Sequence, residues 1–87
     1  MTTPISIRRA ILRVLSLAEP HPLPQAQLLA LVNELVRPQL TLEQLKEHLS
    51  WLLDRSMADF LPDPMDAENV DGREWLIKSP GLAVLRK

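Results

Sequence analysis

The stretch from residue 24 to residue 55 constrains the fold more than any other part of this sequence. Apolar residues recur in it at helical spacing, and a proline-containing break at 37–40 divides it in two. Its second half opens with a capping-box pattern, in which Thr41 caps the helix and Gln44 reaches back to the backbone. A leucine ridge follows, formed by Leu42, Leu45, Leu49, Leu52 and Leu53. The pattern predicts helices over about 24–36 and 41–55, joined as a helix-turn-helix.

A helix is also predicted before this pair, over about 6–18. Its apolar residues fall on one face, and Ser6 is the expected N-cap. The helix has to end before Pro20, because proline disfavours helical geometry in the residue that precedes it. Pro24 is expected in the first turn of the second helix, where its missing N–H costs nothing.

The last third of the chain has a different pattern. Two short apolar segments within 58–78 enclose a loop rich in proline and acidic residues, which predicts a long β-hairpin. Leu23 could supply a third strand. Ser79 and Pro80 then predict the start of a short final helix over about 80–86.

Composition limits the possibilities further. The chain has 87 residues, enough for one domain over 1–87, and 18 of them are leucine, which favours helices. It has no cysteine, so disulfides and thiolate metal sites are excluded. Neither a membrane span nor a signal peptide is expected, which favours the cytoplasm. The net charge of −1 argues against a protein that coats nucleic acid through its overall charge.

Two segments resemble parts of winged-helix proteins. The segment from Leu49 to Ala58 is similar to the end of their recognition helix, and the segment from Trp75 to Leu85 resembles their closing strand and last helix. The order of elements over nearly the whole chain looks like that of small arsenic-repressor-like proteins, including some encoded by Mu-like prophages. The resemblance implies an α+β, mostly α, winged helix-turn-helix with three helices, a two- or three-stranded antiparallel wing and a short C-terminal helix.

Two departures from this family narrow what the resemblance implies. Ser56 stands where the family usually has glycine, so the residue that favours a left-handed helix end is missing there. The metal-binding cysteines of the arsenic repressors are absent, so metal sensing is not implied and no cofactor is expected.

Catalysis is not expected. His21 and His48 have no nucleophile or carboxylate beside them in a recognisable motif. Glu43 and Glu47 are four residues apart and could face one cation, but they lack a third ligand and are better explained as a solvated helix face. We therefore expect neither an enzyme nor a metal site.

Binding to double-stranded DNA is the function that the resemblance implies. The third helix would enter the major groove, where a glutamine can recognise adenine and a glutamate can accept from cytosine. The expected contact residues are Arg37, Thr41, Glu43, Gln44, Lys46, Glu47 and His48, with Arg37 on phosphate.

The charge pattern leaves an alternative open. The third helix has three acids and two bases over 41–56, and the wing has six acids and one base over 59–74, a balance that DNA phosphate would repel. Basic residues lie instead on the first helix, at Arg8, Arg9 and Arg13, and at the end of the chain, including Lys87. The alternative is a non-catalytic module that binds a protein partner or self-associates as a homodimer, with the arginines either solvated or facing an acidic surface.

Overall fold

The computed structural model describes residues 3–86. The helices are α1 (Pro4–Ala18), α2 (Gln25–Val32), α3 (Leu42–Asp54) and α4 (Ser79–Leu85); the strands are β1 (Leu23–Pro24), β2 (Ala58–Leu61) and β3 (Glu74–Ile77). A single turn of 3-10 helix, Val70–Gly72, lies in the loop between β2 and β3. The predicted order of elements is confirmed, and so is the third strand at Leu23. Lys87, one of the basic residues noted at the end of the chain, lies outside the described residues.

The first helix begins earlier than predicted. Thr3, and not Ser6, is its N-cap: the Thr3 hydroxyl oxygen accepts the backbone N–H of Ser6 at 3.1 Å. Pro4 occupies the first turn, where it suits the helix geometry. The apolar periodicity starts only at Ile7, so periodicity alone placed the start of the helix too late.

The second helix is shorter than predicted. It begins at Gln25, since Pro24 belongs to β1, and it ends at Val32. The Asn33 side chain then binds Leu40 twice: its Oδ1 accepts the Leu40 N–H at 2.7 Å, and its Nδ2 donates to the Leu40 carbonyl at 3.1 Å. These bonds hold residues 33–40 in a compact turn. Leu35, which helical spacing after Leu28 predicts on the buried face of a longer helix, is exposed as a result.

The third helix matches its prediction, with Thr41 and Arg55 as its two caps. Ser56 follows in the left-handed conformation, with φ of 59°. Its N–H donates to the Leu53 carbonyl at 3.0 Å, and the Met57 N–H donates to the Leu52 carbonyl at 2.9 Å. These two bonds form a Schellman motif, so the left-handed helix end is present although glycine is not. The fourth helix also differs slightly, since Ser79 lies within it and Lys78 is its N-cap.

The three strands form one antiparallel sheet in the order β1-β3-β2. Trp75 on the central strand pairs with Leu23 on one side and Phe60 on the other. Its ring is buried, and its indole N–H donates to Oε1 of the buried Gln25 at 3.1 Å. The sheet is thereby attached to the start of α2, the first helix of the helix-turn-helix.

The core lies where α1, α2 and α3 meet the sheet. Its fully buried side chains include Ile11, Leu12, Leu15, Leu28, Val32, Leu45, Leu49 and Leu52. Burial of the α3 residues Leu45, Leu49 and Leu52 fixes which face of that helix points outward. The architecture is a winged helix. Within residues 3–86, no helix combines the length and apolar character that crossing a bilayer requires.

Candidate nucleic-acid interface

The outward face of α3 brings together most of the residues predicted to contact DNA. Leu45, Leu49 and Leu52 of the leucine ridge face the core, and the polar residues of α3 lie between and opposite them. Thr41, Glu43, Gln44 and Glu47 are exposed, whereas Lys46 and His48 are half-buried. The helix therefore presents a polar surface that begins at its amino-terminal end.

The capping box fixes the first turn of this surface. The Thr41 N–H donates to Oε1 of Gln44 at 3.0 Å, and the Gln44 N–H donates to the Thr41 hydroxyl oxygen at 3.2 Å. Bidentate recognition of adenine uses both the oxygen and the nitrogen of a glutamine amide. Because the oxygen of Gln44 already accepts from the backbone of Thr41, the amide nitrogen is the group of this exposed side chain that can donate to a base.

Lys46 lies in an ion-pair cluster that joins α3 to the wing loop. Its ammonium is 2.6 Å from Oδ1 of Asp71 and 3.5 Å from Oε1 of Glu43. The hydrogen bond with Asp71 raises the pKa of Lys46, and the charges of Asp71 and Glu43 add to that effect. Lys46 thus remains charged, but two carboxylates of its own chain neutralise it locally.

His48 is in contact with the first helix. The Nε–H of Arg8 donates to Nδ1 of His48 at 3.3 Å. Burial lowers the pKa of His48, and the positive charge of Arg8 lowers it further, against an opposing effect of Glu47. Neutral imidazole is therefore the favoured form, with Nδ1 as the acceptor for Arg8.

A solvated face was one of the two placements expected for the arginines of α1, and Arg8 does not have it. Its guanidinium stacks on the Trp51 ring, 3.9 Å from the ring centroid. Arg55 lies over the same ring at 3.7 Å. Each contact has cation–π geometry, and the contact with Arg8 joins α1 to α3. The spacing of Trp51 and Arg55 on one helix was a usable signal, but the approach of Arg8 from another helix was not.

Arg37 lies in the turn that precedes α3. Its guanidinium donates to the backbone carbonyls of Asn33 and Val36, the latter at 2.8 Å. These bonds hold it close to the end of α2, on the same helix-turn-helix as Thr41. Its side chain is exposed, so its charge is accessible from solvent.

The wing carries mostly negative charge. Its two cations are engaged within the wing: Arg73 lies over the Phe60 ring at 4.0 Å, and Lys78 is 3.9 Å from Oδ2 of Asp59. The acidic loop between β2 and β3 contacts α3 through Asp71. Among residues 3–86, no group of three or more histidine and acidic side chains is arranged to hold a metal ion.

Comparisons with known proteins bear on the fold. No protein-family model matches the sequence. No curated protein matches it either. The structure is similar to the crystal structure of a MarR family transcription regulator, with a TM-score of 0.69 and 20% sequence identity. That similarity covers 92% of this chain and 46% of the regulator, so this chain spans just under half of the length of its structural neighbour.

Proposed function

We propose that this protein is a small DNA-binding regulator of transcription, of phage or bacterial origin, which acts in the cytoplasm and has no catalytic activity. The observation that carries the proposal is the amino-terminal end of α3, which is capped and exposed. The opposite face of the helix is buried in the core, so the exposed face has a fixed direction. In a helix-turn-helix, this end of the second helix reaches base edges. The similarity in fold to a protein described as a transcription regulator supports the same function.

The contacts expected with DNA come from the side chains on α3 and in the turn before it. The Gln44 amide nitrogen can donate to a base acceptor, and the exposed Glu47 carboxylate can accept from cytosine N4. Arg37, exposed in the turn that precedes α3, is expected to bind the adjacent phosphate. Thr41, Glu43, Lys46 and His48 complete the proposed surface. With so few cations, we expect weak binding to phosphate that is detectable only at low salt.

A salt titration tests this proposal. Fluorescence anisotropy with a labelled duplex of random sequence should show binding at low salt that weakens as salt is added. Gln44→Glu is an informative variant, because glutamate also completes a capping box but places a negative charge at the base edge. We expect it to remain folded and to lose DNA binding. Ala83→Glu, on the exposed side of α4, is the control with the same change of charge.

Absence of binding at low salt by the folded protein would contradict the proposal. The second candidate, a non-catalytic module for protein–protein contact, would then be favoured. The observation on its side is that Lys46 is neutralised by Asp71 and Glu43, on a helix whose exposed face is acidic overall. Acidic surfaces suit a basic protein partner better than they suit phosphate.

A further inference from the structure

An apolar groove lies between α1, α3 and the last helix. Ile5, Leu12, Trp51, Met57 and Val84 line its interior, which has a volume of about 420 Å³. Ile5 is 68% exposed although it is a large aliphatic residue. An apolar groove of this size with an exposed aliphatic edge is typical of a surface that binds another molecule.

The rim of this groove is positively charged. Arg8 and Arg9 both line it, and Arg13 follows one turn further along α1. The 15 residues of α1 include these three arginines and no acidic residue. An occupant should therefore combine an apolar side chain with carboxylates.

The wing loop of the same protein has this combination. Residues 62–71 contain four acids and no base, and at their centre Met65 is 92% exposed. The loop is shaped by its own side chains: Asp63 Oδ1 accepts the Met65 N–H at 2.9 Å, and Asp66 Oδ1 accepts the Glu68 N–H at 3.2 Å. These Asx turns hold the Met65 side chain at the tip, between carboxylates.

We propose that the groove binds the wing loop of a second copy of this chain, with Met65 against Ile5 and the edge of the Trp51 ring, and with the loop carboxylates against Arg9. A methionine suits the site, because its flexible thioether fits irregular apolar grooves and interacts favourably with aromatic rings. Asp71 remains with Lys46 of its own chain, so Asp66 and Glu68 are the carboxylates that meet the arginines. The association does not require DNA and does not depend on the function proposed above.

The direct test is a dilution series without DNA. Sedimentation should show that the average mass rises with protein concentration at low salt and falls when salt is added. Nitrogen-labelled protein has two indole N–H signals for NMR, one from each tryptophan. The Trp51 signal should move with concentration, whereas the signal of the buried Trp75 should stay in place. A protein that is monomeric throughout the series overturns the proposal.

A charge exchange tests which surfaces meet. Glu68→Lys reverses the charge of the loop and Arg9→Glu reverses that of the groove; both residues are exposed. Each variant alone should associate at least roughly tenfold more weakly than the native protein. An equimolar mixture of the two should associate again, because the native loop of one variant then meets the native groove of the other. Failure of the mixture to associate contradicts the proposed pairing.

Two further variants separate this contact from other modes of association. Met65→Gln keeps the charge of the loop and should weaken association, since it removes the apolar side chain. Glu19→Lys, at the exposed end of α1, changes the charge as Glu68→Lys does but lies outside the groove and the loop, and should leave association unchanged. Self-association that Met65→Gln and Glu68→Lys leave unaltered would place the interface elsewhere and overturn the proposal.

Discussion

The carboxylate of Asp71 lies 2.6 Å from the ammonium of Lys46, so the wing loop is attached to the helix that would enter DNA. This ion pair bears on the proposed function, because the lysine that could bind phosphate already has an anion beside it. The pair also holds the acidic loop close to the surface that phosphate would have to approach. Both effects oppose DNA binding.

We expect Asp71→Asn to strengthen binding to random duplex DNA. The change releases Lys46 from its strongest partner and removes one negative charge from the loop. Affinity at low salt should rise by roughly tenfold, and the salt dependence should steepen by about one phosphate contact. Fluorescence anisotropy at several salt concentrations measures both quantities.

Glu68→Gln is the matched control for this variant, since it removes the same charge from the same loop but leaves the ion pair of Lys46 intact. We expect Glu68→Gln to gain less affinity for DNA than Asp71→Asn does and to leave the salt dependence unchanged. Equal gains for the two variants would mean that only the net charge of the loop matters, and that Lys46 does not reach phosphate.

The contact between Arg8 and His48 predicts a dependence of stability on pH. Burial and Arg8 lower the pKa of His48 below the ordinary value of 6.5. The unfolded chain therefore binds a proton in a pH range where the folded chain does not. The resulting stability is fully present above about pH 6.5 and is lost as the pH falls from there to the lowered pKa of the folded state. Chemical denaturation at a series of pH values measures how the free energy of unfolding depends on pH.

Arg8→Met should raise the pKa of His48 towards its ordinary value, because one of the two causes of the shift is removed. Methionine retains apolar contact with Trp51. An NMR titration of the His48 ring protons gives the pKa directly. Arg13→Met removes a cation from the exposed side of the same helix and serves as the control. The interpretation fails if both variants shift the titration equally.

The features that the sequence predicted correctly depend on neighbours along the chain. The capping box of Thr41 and Gln44 needs only three residues of separation, and the leucine ridge needs only helical periodicity. The features that it missed depend on tertiary contacts. Arg8 is 40 residues from His48, and no local pattern indicates that their side chains meet. The same holds for Lys46 and Asp71, which sit on separate elements.

The end of α2 illustrates a second reason for error. Val36 is buried, whereas Leu35, which helical spacing assigned to the buried face of a longer helix, is exposed. Val36 reaches the core from a turn, because Asn33 binds the backbone of Leu40 and redirects the chain. Periodicity therefore assigned the wrong residue to the core at the end of α2.

Glycine substitutions at Ser56 and at the control position Ser50 should change the free energy of unfolding in opposite directions. Its φ of 59° is unfavourable for a residue with a Cβ, so Ser56→Gly should stabilise the protein by about 0.5–1 kcal/mol. Ser50→Gly, at an exposed position inside α3, should instead destabilise it by about 0.5–1 kcal/mol, because glycine is a poor helix former. Urea denaturation measures both changes. Two changes of the same sign would contradict the role assigned to the Schellman motif.

Gly81 in α4 is packed so closely that adding one methyl group at this position should destabilise the protein. Gly81 is buried, and a Cβ at this position would collide with the backbone carbonyl oxygen of Met57 and lie 3.0 Å from side-chain carbons of Ile77 and Leu12. That carbonyl cannot easily move, because it accepts the N–H of Lys78 at 3.0 Å. Gly81→Ala should therefore cost about 1–3 kcal/mol, although alanine is the better helix former.

Thermal and urea denaturation of Gly81→Ala can be compared with Ala83→Ser, which alters an exposed position on the same helix. The control should stay within about 0.5 kcal/mol of the native protein. A stabilised Gly81→Ala variant would show that α4 can move away from Met57 at no cost. Because α4 also lines the apolar groove through Val84, such freedom would mean that the groove has no fixed width. A destabilised variant instead indicates that α4 is held firmly against Met57. The groove then has a fixed width in the protein without a partner.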